Sequence, residues 1–280
     1  MSAVTIRIHS EDANFQNIET LRRNRVKRNR SGEFFVEGVR LIKQAVKNGW
    51  GINAFVYSRE KRLSDWAEGM LAKAGAQKHF ELPLRLMEKL SEKEDASELI
   101  ALVSMRSDDL SRIPVREDLL VMVLDRPASP GNIGTIIRSC DALGADGLIV
   151  SGHSADLYDP ETIRGTTGSF FCLPSVRLPS HKEFVPWLDG LRQRVSGLRV
   201  VGTSAKAKFS IWEQDFTLPT ILLVGNETNG LSDAYQALSD SMVTIPQVGS
   251  ATSLNVACAA SILLYEAARQ RDSYPRLAKD

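Results

Sequence analysis

Six consecutive apolar residues, Leu119–Leu124, constrain this chain more than any other feature. A strand with one wet face alternates polar and apolar positions, so an unbroken run of this length fits a strand covered on both faces. Further short strands are expected at Gly147–Val150, Leu198–Gly202, Thr220–Val224 and Ser241–Ile245. Helical patterning appears at Ile133–Leu143, with Asn132 placed to cap it, and at Ser253–Gln270. Strands alternating with helices build βαβ units with right-handed crossovers. Residues 118–280 are therefore expected to form an α/β domain on a mostly parallel sheet flanked by helices. Ligands bind such sheets beyond the carboxyl ends of the strands. That rule directs attention to the loops after Leu124, Gly202, Val224 and Ile245.

The polar stretch 106–118, which contains Pro114, reads as a boundary. Before it, strands are expected at Phe34–Val36, Ile52–Tyr57 and Leu99–Met105, with helices at Val39–Lys47, Leu63–Ala74 and Pro83–Leu90. Residues 1–110 then form a small α/β domain of their own. The 280 residues are 43% hydrophobic and 25% charged with a formal charge of +1, which excludes a disordered tail and a supercharged nucleic-acid binder. The balance hides an asymmetry. Residues 1–50 hold ten basic and five acidic side chains, a local charge of +5. Arg22, Arg23, Arg25, Lys27, Arg28 and Arg30 follow one another with no acid between them. Such a run favours a polyanion such as RNA, and it equally suits a solvated basic helix face.

Three scattered cysteines and four histidines without ligand spacing argue against a disulfide framework and against a metal site. The N-terminus lacks a secretory apolar segment, and the longest apolar stretch, Val256–Tyr265, is too short to span a membrane. A reducing, cytoplasmic setting is expected.

No G-x-G-x-x-G follows a strand, no phosphate-loop motif occurs, and no G-x-S-x-G elbow appears. A nicotinamide-dependent oxidoreductase and a hydrolase thereby lose support. Three polar clusters remain at strand ends. The first, Asn132-Ile-Gly-Thr-Ile-Ile-Arg138, opens a helix. The second is Gly225-Asn-Glu-Thr-Asn-Gly230. The third, Ile245 to Asn255, contains Ser253-Leu-Asn255 before the last helix. Taken singly, each has an ordinary explanation: a helix cap for Asn132, Ser253 or Asn255, a surface cation for Arg138, a glycine turn for the second cluster.

In this order and spacing the three clusters resemble the SpoU (TrmH-like) family of RNA 2′-O-ribose methyltransferases in the SPOUT superfamily. The matching residues are Asn132-x-Gly134-x-x-x-Arg138, Gly225-Asn-Glu227, and Ile245-Pro with Gly249 and Ser253-Leu-Asn255-Val. Phe34-Phe-Val-Glu37-Gly38 also resembles the start of the family's small RNA-binding domain. Two positions depart from the pattern: Thr228-Asn229 stand where glycine is common after the glutamate, and Thr252 stands where an acid is common.

The resemblance implies a C-terminal trefoil knot, a homodimer, and S-adenosylmethionine held near Thr203, Gly225, Ile245 and Leu254. The dimer would use one apolar face of the last helix, where Val256, Ala259, Ala260, Leu263 and Leu264 recur at helical spacing, a stripe that core packing within one subunit explains equally well. It implies transfer of a methyl to a ribose 2′-hydroxyl of ribosomal or, second, transfer RNA, with Arg138, Asn132, Glu227, Ser253 and Asn255 as the reactive set. Using a guanidinium as the base costs on the order of 8 kcal/mol at pH 7. Arg138 is therefore expected to grip a phosphate or a developing alkoxide. The rival readings are a catalytically silent RNA-binding protein of the same fold and a methyltransferase acting on a base nitrogen.

Overall fold

The computed structural model describes residues 3–91 and 95–271. In chain order the first strands and helices are β1 (Val4–Arg7), α1 (Ala13–Arg23), α2 (Arg25–Ser31), β2 (Glu33–Glu37) and α3 (Val39–Lys47). Next come β3 (Ile52–Tyr57), α4 (Asp65–Lys73), β4 (Lys78–Glu81), α5 (Leu84–Leu90) and β5 (Leu99–Ser104). They form a five-stranded mixed sheet in the order β1-β4-β3-β5-β2, with β5 antiparallel to both β3 and β2. The helix α1, which sequence patterning did not single out, places Phe15, Ile18 and Leu21 on one stripe. These bury against Phe35, Val56 and Leu102 of the sheet.

Beyond Ser107 the elements are β6 (Leu120–Asp125), α6 (Pro130–Ala142), β7 (Gly147–Ser151), α7 (Pro160–Gly165), β8 (Ser175–Leu178) and α8 (His181–Arg194). They continue with β9 (Arg199–Thr203), β10 (Phe209–Ser210), β11 (Thr220–Val224), α9 (Asp233–Leu238), β12 (Ser241–Thr244) and α10 (Val256–Gln270). Seven strands pair in the order β10-β12-β9-β11-β6-β7-β8, every pair parallel. All six residues of β6 are buried, as expected of an interior strand in a sheet covered on both faces. On one side Val121, Val123, Ile221 and Leu223 meet Phe184, Leu188 and Leu191 of α8.

The chain divides into two compact units, but not at a single cut. One is residues 1–106 together with Tyr158–Cys172, and the other is 107–157 with 173–280. The sequence-based division at 110–118 leaves the excursion 158–172 in the second domain. Within the first unit this excursion is tied down by aromatic packing. Phe34 lies 4.9 Å from the Tyr158 ring and 5.9 Å from the rings of both Phe170 and Trp50. Trp50 Nε1 donates to the Phe171 carbonyl at 3.0 Å.

Candidate active site

Helix α6 starts three residues earlier than its apolar periodicity suggests. Pro130 occupies its first turn and Ser129, not Asn132, is the cap, its Oγ accepting from the Asn132 amide at 3.3 Å. The reading of Asn132 as a cap is therefore corrected: its backbone is served by Ser129, which leaves its side chain for other work. At α10 the cap reading holds. Asn255 Oδ1 accepts from the amides of Ala257 at 2.8 Å and Cys258 at 3.3 Å.

These two asparagines join the second cluster through one chain of hydrogen bonds. Because Asn255 Oδ1 must be the acceptor at the helix start, its Nδ2 is turned toward Asn132 Oδ1, 3.2 Å away. Asn132 Nδ2 then donates to Glu227 Oε1 at 3.0 Å. The other carboxylate oxygen of Glu227 accepts from the Ala128 amide at 3.2 Å. Each donor and acceptor is thus fixed by the next, and three loops distant in sequence are held together.

Glu227 sits at the tip of a tight hairpin in which Asn226 and Gly230 exchange backbone hydrogen bonds of 3.1 and 2.9 Å. A side chain on Gly225 would overlap the backbone of Gly230 and Leu231. Glycine is required at 225 by the close approach of the hairpin's own backbone. Sequence reasoning named Asn226 only as part of its motif and missed Asp125 and Arg126. Asn226 Nδ2 donates to the Arg126 carbonyl at 2.8 Å, while its Oδ1 accepts from Thr228 N at 2.9 Å. Asp125, at the end of β6, is buried; it pairs with Arg126 Nε at 2.9 Å and accepts from the Ser232 amide at 2.7 Å. A charged residue closing an otherwise apolar strand was the available signal.

Burial by itself pushes the Asp125 carboxyl up, but the Arg126 guanidinium and the Ser232 amide outweigh it and hold it below the ordinary value. The unfolded chain therefore binds the Asp125 proton more readily than the native one. The stabilisation is complete above the unfolded value of 3.8 and is lost as pH falls through the depressed native value. We expect Asp125→Asn to flatten the acid limb of a melting-temperature profile as pH falls below the unfolded value of 3.8. An acid limb as steep as that of the parent would show that Asp125 does not carry it.

Beyond the carboxyl ends of β9, β11 and β12 lies a cavity of about 820 Å³. Thr203, Gly225, Ile245 and Leu254 line it, as do Glu227 and Ser253. Thr203 Oγ1 donates to the Leu223 carbonyl at 3.0 Å, which ties the end of β9 to β11. Asn132 adjoins the cavity through its bond to Glu227, and Asn255 through its bond to Asn132. Arg138 is the exception. It is exposed on α6, does not line the cavity of its own chain, and makes no hydrogen bond or ion pair with the described residues. Six residues of helix separate it from Asn132 by about 9 Å and roughly 240° of turn. Its neighbour Ser139 shares a 2.8 Å hydroxyl bond with Ser261 of α10. Of the stripe assigned to a dimer face, Val256, Ala260, Leu263 and Leu264 are buried within the chain. The apolar stripe that α10 leaves exposed is instead Cys258, Ile262 and Tyr265.

The basic run also divides. Arg28 is 1% exposed; it donates to the carbonyls of Leu21 and Arg22, both at 2.9 Å, and pairs with Asp159 at 3.1 Å. It is an internal tie, not a surface cation, because a guanidinium's fork of donors suits buried carbonyls. Arg22 caps the end of α5, donating to the Leu90 carbonyl at 2.7 Å. Arg23, Arg25 and Arg30 are exposed, and Lys27 is half-buried with its Nζ 3.0 Å from Asn17 Oδ1.

No helix among the described residues is long and apolar enough to cross a membrane, and no cluster of three or more metal-ligating side chains occurs among them.

The SpoU rRNA Methylase family model matches residues 119–265, and the SpoU L30e-like domain model matches residues 12–101. The chain belongs to the SpoU rRNA methylase family. Within that family it is similar to the 23S rRNA (uridine(2479)-2′-O)-methyltransferase of Streptomyces viridochromogenes. The two are 50% identical over 267 residues, which is 95% of this chain and 93% of that protein. The SpoU methyltransferase AviRb from Streptomyces viridochromogenes, solved in complex with AdoMet, matches with a TM-score of 0.89 and 50% identity, over 94% of this chain and 99% of that one. The AdoMet-bound rRNA methyltransferase from Sinorhizobium meliloti matches with a TM-score of 0.82 and 31% identity, over 95% and 98%.

Proposed function

We infer that this chain transfers the methyl group of S-adenosylmethionine to a ribose 2′-hydroxyl of ribosomal RNA, working in the cytoplasm as a homodimer. The observation that carries the reading is the hydrogen-bonded chain Asn255–Asn132–Glu227, which gathers all three motif clusters at the edge of one cavity. The cavity suits the cofactor. Its volume falls within the about 300–1,000 Å³ of small-molecule sites. Ile245, Leu254, Val256 and Leu263 offer an apolar wall, while Thr203, Gly225 and Gln236 offer polar atoms.

S-adenosylmethionine supplies a sulfonium-borne methyl and leaves as a neutral thioether. The chain's own task is alignment and the fate of one proton. Glu227, anchored by the Ala128 amide, fixes the Asn132 amide, and Asn132 fixes Asn255. Ser253 lines the cavity two residues before that cap, is exposed, and is placed to hold the sugar hydroxyl and pass its proton to solvent water as the methyl transfers. Arg138 then grips the adjoining phosphate or the developing alkoxide.

Since Arg138 faces away from its own cavity, we assign it to the cavity of a second copy. Arg138 and Ile262, each next to one of the bonded serines, are both exposed, so α6 and α10 present a joint face. Cys258, Ile262 and Tyr265 make that face apolar enough for a symmetric dimer. The return of α10 from β12 to pack on α6, while β11 lies between β6 and β9, supports a knotted path for the C-terminal segment.

Mapping 2′-O-methyl positions in RNA from cells with and without the gene tests the substrate. We expect one position of large-subunit ribosomal RNA to lose its methyl when the gene is removed. A methyl missing from transfer RNA alone would overturn the ribosomal assignment. A silent binding protein would change none.

A further inference from the structure

We propose that Phe209 and Trp212 form a stacking platform on which unpaired nucleotides beside the target ribose are laid, placing part of the RNA recognition on the methyltransferase unit itself. The proposal rests on the RNA reading above. Phe209 is 60% and Trp212 72% exposed, more than any other aromatic side chain among the described residues. Two such rings three residues apart expose a large apolar area, of the kind that marks an interaction site.

Both rings are presented on ordered backbone. Phe209 lies in β10, aligned with Val243, and Ser210 is aligned with Thr244. Val243 and Thr244 are themselves walls of the cavity. Trp212 follows in a single 3-10 turn closed at its start by a capping box. Ser210 Oγ accepts from the Trp212 amide at 3.2 Å, and the Glu213 carboxylate accepts from the Ser210 amide at 2.7 Å. Ile211, between the two rings, is buried and pins the turn to the core. Little chain entropy is therefore left to lose when a ligand stacks.

The chemistry around the rings selects the occupant. Lys206 and Lys208 are exposed and line the cavity on the same loop that leads into Phe209. Glu213 is engaged in the turn and Asp215 accepts from Thr217, so the two lysines face solvent as the loop's cations. No large aliphatic side chain is exposed between residues 204 and 213. Two aromatic faces with adjacent cations and no aliphatic skirt match bases and phosphates better than an apolar protein face. Bases stack on such rings whatever their sequence, and lysines hold the backbone between them. Because the loop borders the cavity, the stacked nucleotides would be near neighbours of the methylated one.

The test uses the intact protein and transcribed fragments of large-subunit ribosomal RNA that the parent enzyme methylates. Phe209→Ala and Trp212→Ala should each raise KM for RNA about tenfold, with kcat and the S-adenosylmethionine Kd changed less than twofold. Trp212→Tyr should keep most of the affinity, whereas Trp212→Leu should behave like the alanine variant. Lys206→Gln and Lys208→Gln should each lower the slope of log affinity against log salt by about one. An unchanged KM in both alanine variants overturns the platform. So does Trp212→Leu matching Trp212→Tyr, or a loss of cofactor affinity equal to that for RNA. Loss of the dimer in sedimentation with RNA KM unchanged would give this surface to a second copy instead. A parent protein that methylates no RNA would fail before any variant is compared, which separates the fate of the platform from that of the functional reading.

Discussion

Replacing Arg138 by alanine is expected to lower kcat by about 10³-fold while the S-adenosylmethionine Kd moves less than twofold. The magnitude follows from the step at which the guanidinium acts. In the proposed role, meeting a phosphate or a developing alkoxide, it would act mainly where charge accumulates, in the transition state, so its removal would appear in kcat and not in cofactor binding. The exposure of Arg138, away from its own cavity, makes a structural explanation of the effect untenable. Thermal stability should stay within about 0.5 kcal/mol of the parent. Arg138→Lys should recover little, because a point charge does not reproduce the two-pronged donor geometry. Equal losses in cofactor affinity and rate would remove Arg138 from the reacting centre.

The second large effect is expected at Gly225. The atoms that an alanine methyl would meet are backbone atoms of Gly230 and Leu231, which cannot swing aside as a side chain would. The hairpin that carries Glu227 must shift, and with it the wall of the cavity. Overpacking of this kind costs about 1–3 kcal/mol, and at the upper end the S-adenosylmethionine Kd rises about 100-fold. Isothermal titration of Gly225→Ala checks it, and a Kd within threefold of the parent would show that the hairpin does not shape the pocket.

The two variants also test each other. In a dimer where Arg138 of one copy serves the cavity of the other, a mixed dimer of Arg138→Ala and Gly225→Ala subunits contains one complete site. Assayed at S-adenosylmethionine well below the raised Kd, where each variant alone is nearly silent, random mixing of the two should then restore about a quarter of parent activity. Were Arg138 to act within its own chain, mixing would restore none.

The sequence legibly encoded the parts whose physics is local. The apolar run at β6 and the periodicity of α10 follow from burial on two faces or one; β6 lies within one residue of its pattern, while α10 starts at Val256 and not at Ser253, because Asn255 caps it. The family resemblance led to a cavity that Thr203, Gly225, Ile245 and Leu254 do line. What sequence could not carry was any property set by a partner far along the chain. Arg28 looks like its neighbours in a basic run until Asp159, 131 residues later, is found to hold it. Asn132 looks like a cap until Ser129 takes that role. The exposed stripe of α10 could not be told from the buried one, since both repeat with helical spacing. Nor did β1 or α1 announce themselves, because β1 has only four residues and packs at a sheet edge, on β4 alone.

The claim on which the rest depends is that a sugar oxygen, not a base, receives the methyl at this cavity. Incubating purified protein with S-adenosylmethionine carrying a labelled methyl and large-subunit ribosomal RNA, then digesting to nucleosides for mass spectrometry, addresses it directly. The label is expected on ribose, as a 2′-O-methyl nucleoside, and the modified position in the undigested RNA should resist alkaline cleavage. Label recovered on a base, or no label transferred at all, would contradict the account.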